Sequence, residues 1–208
     1  ALAYRRPLLQ AEKDEINALY KKLRTEELPH EEAFRLTLAR ILLSPAFMYR
    51  LEKPVPGPEQ GPVSDWELAS RLSYFLWSSL PDAELRQLAT EGRLHEPAVL
   101  TAQTRRMLGD AKTRRLATEF ALHWLHIDDF EHLDEKSERH FPTFPGLRAA
   151  MAEESTLFFT DLFQHNGSVL DILDADYTFL NGPLAEHYGI PNVQGVAWRR
   201  VDGVKKFG

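Results

Sequence analysis

The stretch SDWELASRLSYFLW, residues 64–77, decides the fold class of this chain. It opens with the spacing of a helix capping box, in which the Ser64 side chain accepts a backbone N–H and the Glu67 side chain reaches back to the cap. Large apolar residues then fall on two faces of the helix: Leu68, Leu72, Phe75 and Leu76 on one, and Trp66 and Trp77 beside Ser73 on the other. A helix that is apolar on two faces is normally central, so this stretch predicts a core helix surrounded by others.

Helical periodicity continues on both sides of this stretch. Apolar residues recur at three- and four-residue spacings within 8–24, 29–43, 80–92, 97–108, 110–127 and 145–165. No pair of convincing strands and no internal repeat is seen in the pattern. The sequence therefore predicts an all-α fold, an irregular bundle of six to seven helices with long loops.

One segment has the composition of a linker. Residues 53–63, KPVPGPEQGPV, contain four Pro and two Gly, which disfavour both helix and strand. We therefore expect an N-terminal helical segment at 1–52, the end of a preceding domain, and a main helical domain at 64–201. Residues 202–208 are interpreted as a truncated tail, because the chain reads as a piece excised from a longer protein.

Composition excludes several classes of function. The formal net charge is −6 and the chain has no concentrated basic footprint, so nucleic acid is not an expected partner. The absence of cysteine removes thiol nucleophiles, Cys-based zinc sites and C-x-x-C-H haem attachment. No run approaches the eighteen apolar residues of a transmembrane helix, so we expect no membrane span.

The stretch DADYTFLNGPLAEHYGI, residues 174–190, is the densest in polar and turn-forming residues. Asn181 stands at the N-cap position of a short helix, and Gly189 fits the left-handed position that closes it. Tyr177 to Leu180 alternate as a short extended segment does. An active-site loop is the alternative interpretation, but the pattern favours polar residues that hold the chain in shape.

A second candidate lies in EFALHWLH, residues 119–126. On a regular helix Glu119, His123 and His126 fall at i, i+4 and i+7, one stripe that could hold a transition metal. The stripe lies beside the predicted core stripe of Leu116, Phe120, Trp124 and Ile127. A solvated polar flank is therefore the simpler interpretation, and the H-E-x-x-H zinc pattern is absent.

The third candidate is Glu154, which falls within about 20° of the centre of the apolar stripe on the helix that begins at 145. A carboxylate in that position must find a partner or take up a proton. Glu154 is thus the best catalytic candidate, with His165 on the same face as a further metal-ligand candidate. The competing interpretation, which we favour, is a structural ion pair between Glu154 and Arg71.

Several of these segments together resemble a known family. The motifs are ELASRLSYFLWSSLPDAEL (67–85), EFALHWLHID (119–128), EESTLFF (153–159) and LDADYTFLNGPLAEHYGIP (173–191). They resemble uncharacterised exported proteins of planctomycete type, in which helical domains of unknown function follow a cytochrome c-type module. LARILLSPAFMYRLE (38–52) is similar to the end of the domain that precedes them. The resemblance implies a periplasmic or extracellular location, with haem c elsewhere in the parent protein and no cofactor in this fragment.

Three functions follow as hypotheses. The leading one is a helical module that packs against sibling domains of the parent chain and is not by itself an enzyme. The alternative is an enzyme or metal-binding domain centred on Glu154 with nearby histidines. A weaker alternative is a carbohydrate-binding module, in which exposed Trp66, Trp77 or Trp198 would stack on sugar rings.

Overall fold

The computed structural model describes residues 2–50, 52, 61–132 and 139–207. The described chain forms two compact units: the first contains residues 1–74 and 79–101, and the second contains residues 75–78 and 102–208. Most of the predicted linker, residues 53–60, lies outside the described residues. The predicted boundaries at 53–63 therefore remain a prediction.

Most of the described residues are helical. The α-helices are α1 Gln10–Thr25, α2 His30–Leu42, α3 Pro45–Met48, α4 Asp65–Trp77, α5 Ala83–Thr90, α6 Pro97–Leu108, α7 Arg114–Leu116, α8 Leu122–Trp124, α9 Phe144–Gln164, α10 Asp171–Asp174 and α11 Gly182–Tyr188. Short 3-10 turns lie at Ala111–Thr113, Phe130–His132 and Lys205–Phe207, and a π-helical turn spans Ala117–Ala121. The predominantly α fold with loops is confirmed. The helices outnumber the predicted six to seven, because segments of three or four residues are too short to show a periodicity.

The one sheet of the described residues has two strands, which were not predicted as a pair. Strand β1, Tyr177–Leu180, runs antiparallel to β2, Arg199–Asp202, with Tyr177 opposite Asp202 and Leu180 opposite Arg199. The extended β1 segment was expected from its alternation. Its partner was missed because β2 is largely exposed, so its backbone hydrogen bonds, and not an apolar pattern, define it.

In the first unit, the predicted capping box at the start of α4 is confirmed. The Ser64 backbone N–H donates to Glu67 Oε2 over 2.7 Å, and the Glu67 backbone N–H donates to Ser64 Oγ over 3.3 Å. Asp65 then accepts the backbone N–H of Leu94 at 2.7 Å, which ties the start of α4 to the chain that follows α5. These bonds satisfy backbone donors that a helix start would otherwise leave unpaired.

In the second unit, helix α9 is the element around which the core is built. One cluster packs α9 against β1 and α11, and it consists of Leu147, Leu180, Leu184, Ala185 and Ile190. A second cluster packs α9 against the π-helical turn, and it consists of Ala117, Ala121, Phe159 and Leu162. The first cluster contacts α9 near its start, at Leu147, and the second contacts it near its end, at Phe159 and Leu162. No helix among the described residues is long and apolar enough to cross a membrane.

Both predicted caps of α11 are present. Asn181 Oδ1 accepts the backbone N–H of Leu184 at 3.1 Å, and Gly189 adopts the left-handed conformation at φ 70°. The structure thereby supports the interpretation that these residues hold the chain in shape.

Replacing Asn181 by alanine is expected to lower the free energy of unfolding by about 0.5–2 kcal/mol, because the cap bond to Leu184 is lost. Urea unfolding followed by circular dichroism measures the change. An Asn181→Ala variant as stable as the parent would contradict the capping role.

Candidate functional site

The carboxylate of Glu154 joins three elements of the second unit. It projects from α9 and accepts a hydrogen bond from the Thr178 hydroxyl of β1 through Oε1. Its Oε2 accepts the Tyr188 hydroxyl of α11 at 2.8 Å. Both oxygens of this partly buried carboxylate are therefore engaged by hydroxyl donors, and α9, β1 and α11 meet at one polar contact.

Burial governs the protonation of this group. Desolvation raises the pKa of Glu154 above its usual value, although the hydrogen bonds from Thr178 and Tyr188 act in the opposite direction. Burial and the adjacent Glu154 carboxylate raise the pKa of Tyr188 as well. The tyrosine hydroxyl consequently keeps its proton and remains a donor. This arrangement positions chain segments and holds a proton close to a carboxylate.

The predicted ion pair between Arg71 and Glu154 is wrong. Arg71 donates through Nε and Nη2 to the two carboxylate oxygens of Glu52, both at 2.5 Å, while Glu154 accepts from two hydroxyls. The prediction rested on the position of each residue around its own helix axis. It failed because an angle on one helix does not identify the element that lies opposite.

The candidate metal ligands are not assembled into a site. His123 Nε2 lies 3.6 Å from Asp128 Oδ2, and His165 Nδ1 lies 3.0 Å from Asp161 Oδ1. Glu119 is in the π-helical turn, and His126 lies beyond α8 with a left-handed φ of 57°. Within the described parts of the chain, no group of three His, Cys, Asp or Glu side chains could hold a metal ion. The predicted stripe assumed a regular helix, and the π-helical turn and early helix end remove that regularity.

The tryptophan prediction is wrong for Trp77. That side chain is only 1% exposed, and its Nε1–H donates to the Met107 carbonyl at 2.9 Å. Lys112 Nζ lies 4.2 Å from the centre of one of its rings. Trp66 and Trp198 are half-buried, and Trp198 packs against the core cluster at α11. Trp77 therefore cannot stack on a sugar without unfolding its surroundings.

An exposed aromatic row is the feature that the sequence reasoning missed. Phe75, Phe120 and Trp124 are 63%, 49% and 55% exposed. Their ring centres are 6.5 Å apart from Phe75 to Phe120 and again 6.5 Å from Phe120 to Trp124, whose rings are nearly parallel. We call these three residues the aromatic row.

The sequence had placed Phe120 and Trp124 in the core. The residues that face α9 are instead the small Ala117 and Ala121, which are completely buried. Small side chains let two helices approach closely, and the π-helical turn shifts the register of the residues that follow. Two alanines spaced i, i+4 beside the aromatics were the signal that could have indicated this face.

A second exposed apolar surface lies on α2 in the first unit. Ala33 and Thr37 are the buried residues of this helix, whereas Phe34, Leu38 and Leu42 are exposed at i, i+4 and i+8. We call these three residues the α2 stripe. Its spacing places the three side chains along one side of the helix.

Two regions of the chain match known protein families. Residues 63–190 match PSD4, described as a protein of unknown function (DUF1592). Residues 1–52 match PSD5, described as a protein of unknown function (DUF1595). No curated protein and no solved structure matches the chain. The PSD4 match covers more than half of the 208 residues, and the chain therefore belongs to the PSD4 family of proteins of unknown function (DUF1592).

Proposed function

We propose that this chain is a helical packing module of a larger exported protein, and that its α2 stripe is covered by a sibling domain of the same polypeptide. The proposal includes a periplasmic or extracellular location and a cytochrome c-type module elsewhere in the parent, which would carry the haem. It assigns no cofactor, reaction or nucleic-acid partner to this chain.

The observation that carries the proposal is the exposure of the α2 stripe. Helix α2 packs against α1 within the first unit, yet its large side chains Phe34, Leu38 and Leu42 are exposed. Contiguous exposed apolar surface commonly marks an interface, because its removal from water is favourable. The exposure of these three side chains in the present chain is explained if another domain covers them in the full-length protein.

The matched families support the choice of a sibling domain as the covering element. The stripe lies within residues 1–52, which match PSD5, and the PSD4 match follows from residue 63. Two family regions in tandem are the organisation of a multidomain polypeptide. An apolar helix face is stable when another element covers it, and a neighbouring domain can supply that element.

The absence of cysteine from the 208 residues permits a direct test. A Leu38→Cys variant is labelled with a maleimide, and a Lys21→Cys variant on the exposed side of α1 is the control. Labelling is followed by mass spectrometry of the peptide that contains the new thiol. In this chain alone, both thiols should react at similar rates.

In the full-length natural polypeptide, the thiol at position 38 should react at least about tenfold more slowly, while the thiol at position 21 is unaffected. Equal rates at position 38 in the two contexts would refute the proposal. Protection in this chain alone that grows with concentration would indicate a second copy as the covering partner, and would also refute it.

A further inference from the structure

We propose that the aromatic row is a docking surface for a cationic segment of another polypeptide, whose Arg or Lys side chains lie over the exposed rings. This surface belongs to the second unit and is separate from the α2 stripe. The inference therefore does not depend on the packing role proposed for α2.

The three rings have the exposure that such contacts require. Each of Phe75, Phe120 and Trp124 is about half exposed or more, and the rings follow one another at 6.5 Å intervals. The face of an aromatic ring is electronegative, so it attracts guanidinium and ammonium groups within about 6 Å of its centre. The aromatic row thus offers three adjacent acceptors for cations.

Other aromatic rings of the same unit already have cations over them. Lys112 Nζ lies 4.2 Å from the centre of a Trp77 ring, and the Arg200 guanidinium lies 3.6 Å from the centre of the Tyr177 ring. Among the described residues, no Lys or Arg lies over the rings of the aromatic row. A cation from a partner would give these rings the contact that Trp77 and Tyr177 make within the chain.

The segment that bears Phe120 and Trp124 has a charge that complements a cationic partner. Between positions 117 and 132 the sequence has no Lys or Arg and four acids, which are Glu119, Asp128, Asp129 and Glu131. Glu119 directly precedes Phe120 and is exposed, and Asp128 lies 3.6 Å from His123, the neighbour of Trp124. The nearest cation before this segment, Arg115, donates to the Trp77 carbonyl at 3.1 Å. The segment that bears two of the three rings is therefore negatively charged.

The exposed rings and the acidic residues beside them together favour one class of partner. A purely apolar segment would bury the rings but would leave the carboxylates without counter-charges, and an anionic segment would be repelled by them. Arg and Lys combine an apolar stem, which covers ring surface, with a charged head. A segment rich in Arg or Lys can cover the rings with its apolar stems and pair its charged heads with the carboxylates.

The probe is a fluorescein-labelled helical peptide with leucine on one face and arginine on the other. Two matched peptides carry citrulline or glutamate in place of every arginine, which removes or reverses the charge and keeps the apolar face. Binding to the whole chain is measured by fluorescence anisotropy. We expect the arginine peptide to bind at least about tenfold more tightly than either control.

Variants separate docking on the row from general attraction to an acidic protein. The double variant Phe120→Ser, Trp124→Ser should weaken binding of the arginine peptide at least about tenfold, as loss of interface anchors does. Phe141→Ser removes an equally exposed ring of the same unit and should leave the affinity unchanged. Circular dichroism spectra matching those of the parent confirm that the variants are folded.

Three outcomes would overturn the inference. The first is an arginine peptide that does not bind, and the second is a citrulline or glutamate peptide that binds equally well. The third is an unchanged affinity for the arginine peptide in the Phe120→Ser, Trp124→Ser variant. That result would mean that the net charge of the protein alone causes the binding.

Discussion

Replacing Trp77 by alanine is expected to lower the free energy of unfolding by about 3–5 kcal/mol, the usual cost of emptying a large buried aromatic site. Trp77 is 1% exposed, and its indole N–H donates to the Met107 carbonyl at 2.9 Å. The substitution removes the ring, the hydrogen bond and the contact with Lys112. Urea unfolding followed by circular dichroism measures the loss.

Trp77→Phe is the matched control, because it keeps an aromatic ring in the site. The Met107 carbonyl also accepts the Thr113 hydroxyl at 2.9 Å, so it keeps one partner when the indole N–H is lost. We expect this variant to lose less than half as much stability as Trp77→Ala. An alanine variant within about 1 kcal/mol of the parent would mean that Trp77 does not hold the core as described.

Replacing Glu154 by leucine is expected to cost about 2–3 kcal/mol, because the hydroxyls of Thr178 and Tyr188 lose their acceptor. Glu154→Gln keeps the shape of the side chain and an amide that can pair with both hydroxyls, so its cost should be smaller. The same unfolding measurement compares the two variants. Equal stability of Glu154→Leu and the parent would refute the role of Glu154 in joining α9, β1 and α11.

The Glu154→Gln variant also gives a pH dependence with a defined sign. The folded-state pKa of Glu154 is raised above its ordinary value of 4.5, so the folded state binds the proton more tightly than the unfolded state. The stability that this proton contributes is complete below the unfolded pKa, and it is lost as the pH rises through the folded pKa. Glutamine does not titrate.

The free energy of unfolding of the parent minus that of Glu154→Gln should therefore decrease between pH 4 and pH 7, a window that spans the ordinary carboxyl pKa and values above it. Urea titrations of both proteins at several pH values give this difference. A difference that rises over the window would mean that the folded-state pKa is lowered instead.

Prediction from the sequence succeeded for features that depend only on interactions between nearby residues. The Ser64–Glu67 capping box and the Asn181 and Gly189 caps depend on residues three to eight positions apart, and the structure contains all of them. The predominantly helical class followed in the same way, since helical periodicity is a property of neighbouring residues.

The sequence did not predict which side chains pair when the two partners lie far apart along the chain. Arg71 pairs with Glu52, and Glu154 binds Thr178 and Tyr188, because the packing of whole elements decides which groups meet. The same holds for the candidate site, where the sequence identified Glu154 as a carboxylate that is partly buried but did not identify its partners. No local pattern specifies a contact of this kind.

By itself, then, the sequence determined the helical class, the capped start of α4, both ends of α11, and which carboxylate would be partly withdrawn from water. Backbone capping and apolar periodicity act over a few residues, so neighbouring residues are enough to specify these features. Only the tertiary structure decided which faces remain exposed. Phe120 and Trp124 look like core residues in the sequence, yet the buried Ala117 and Ala121 take the place against α9. Close approach of two helices favours small side chains, and this turns the large aromatic rings outward to form the aromatic row.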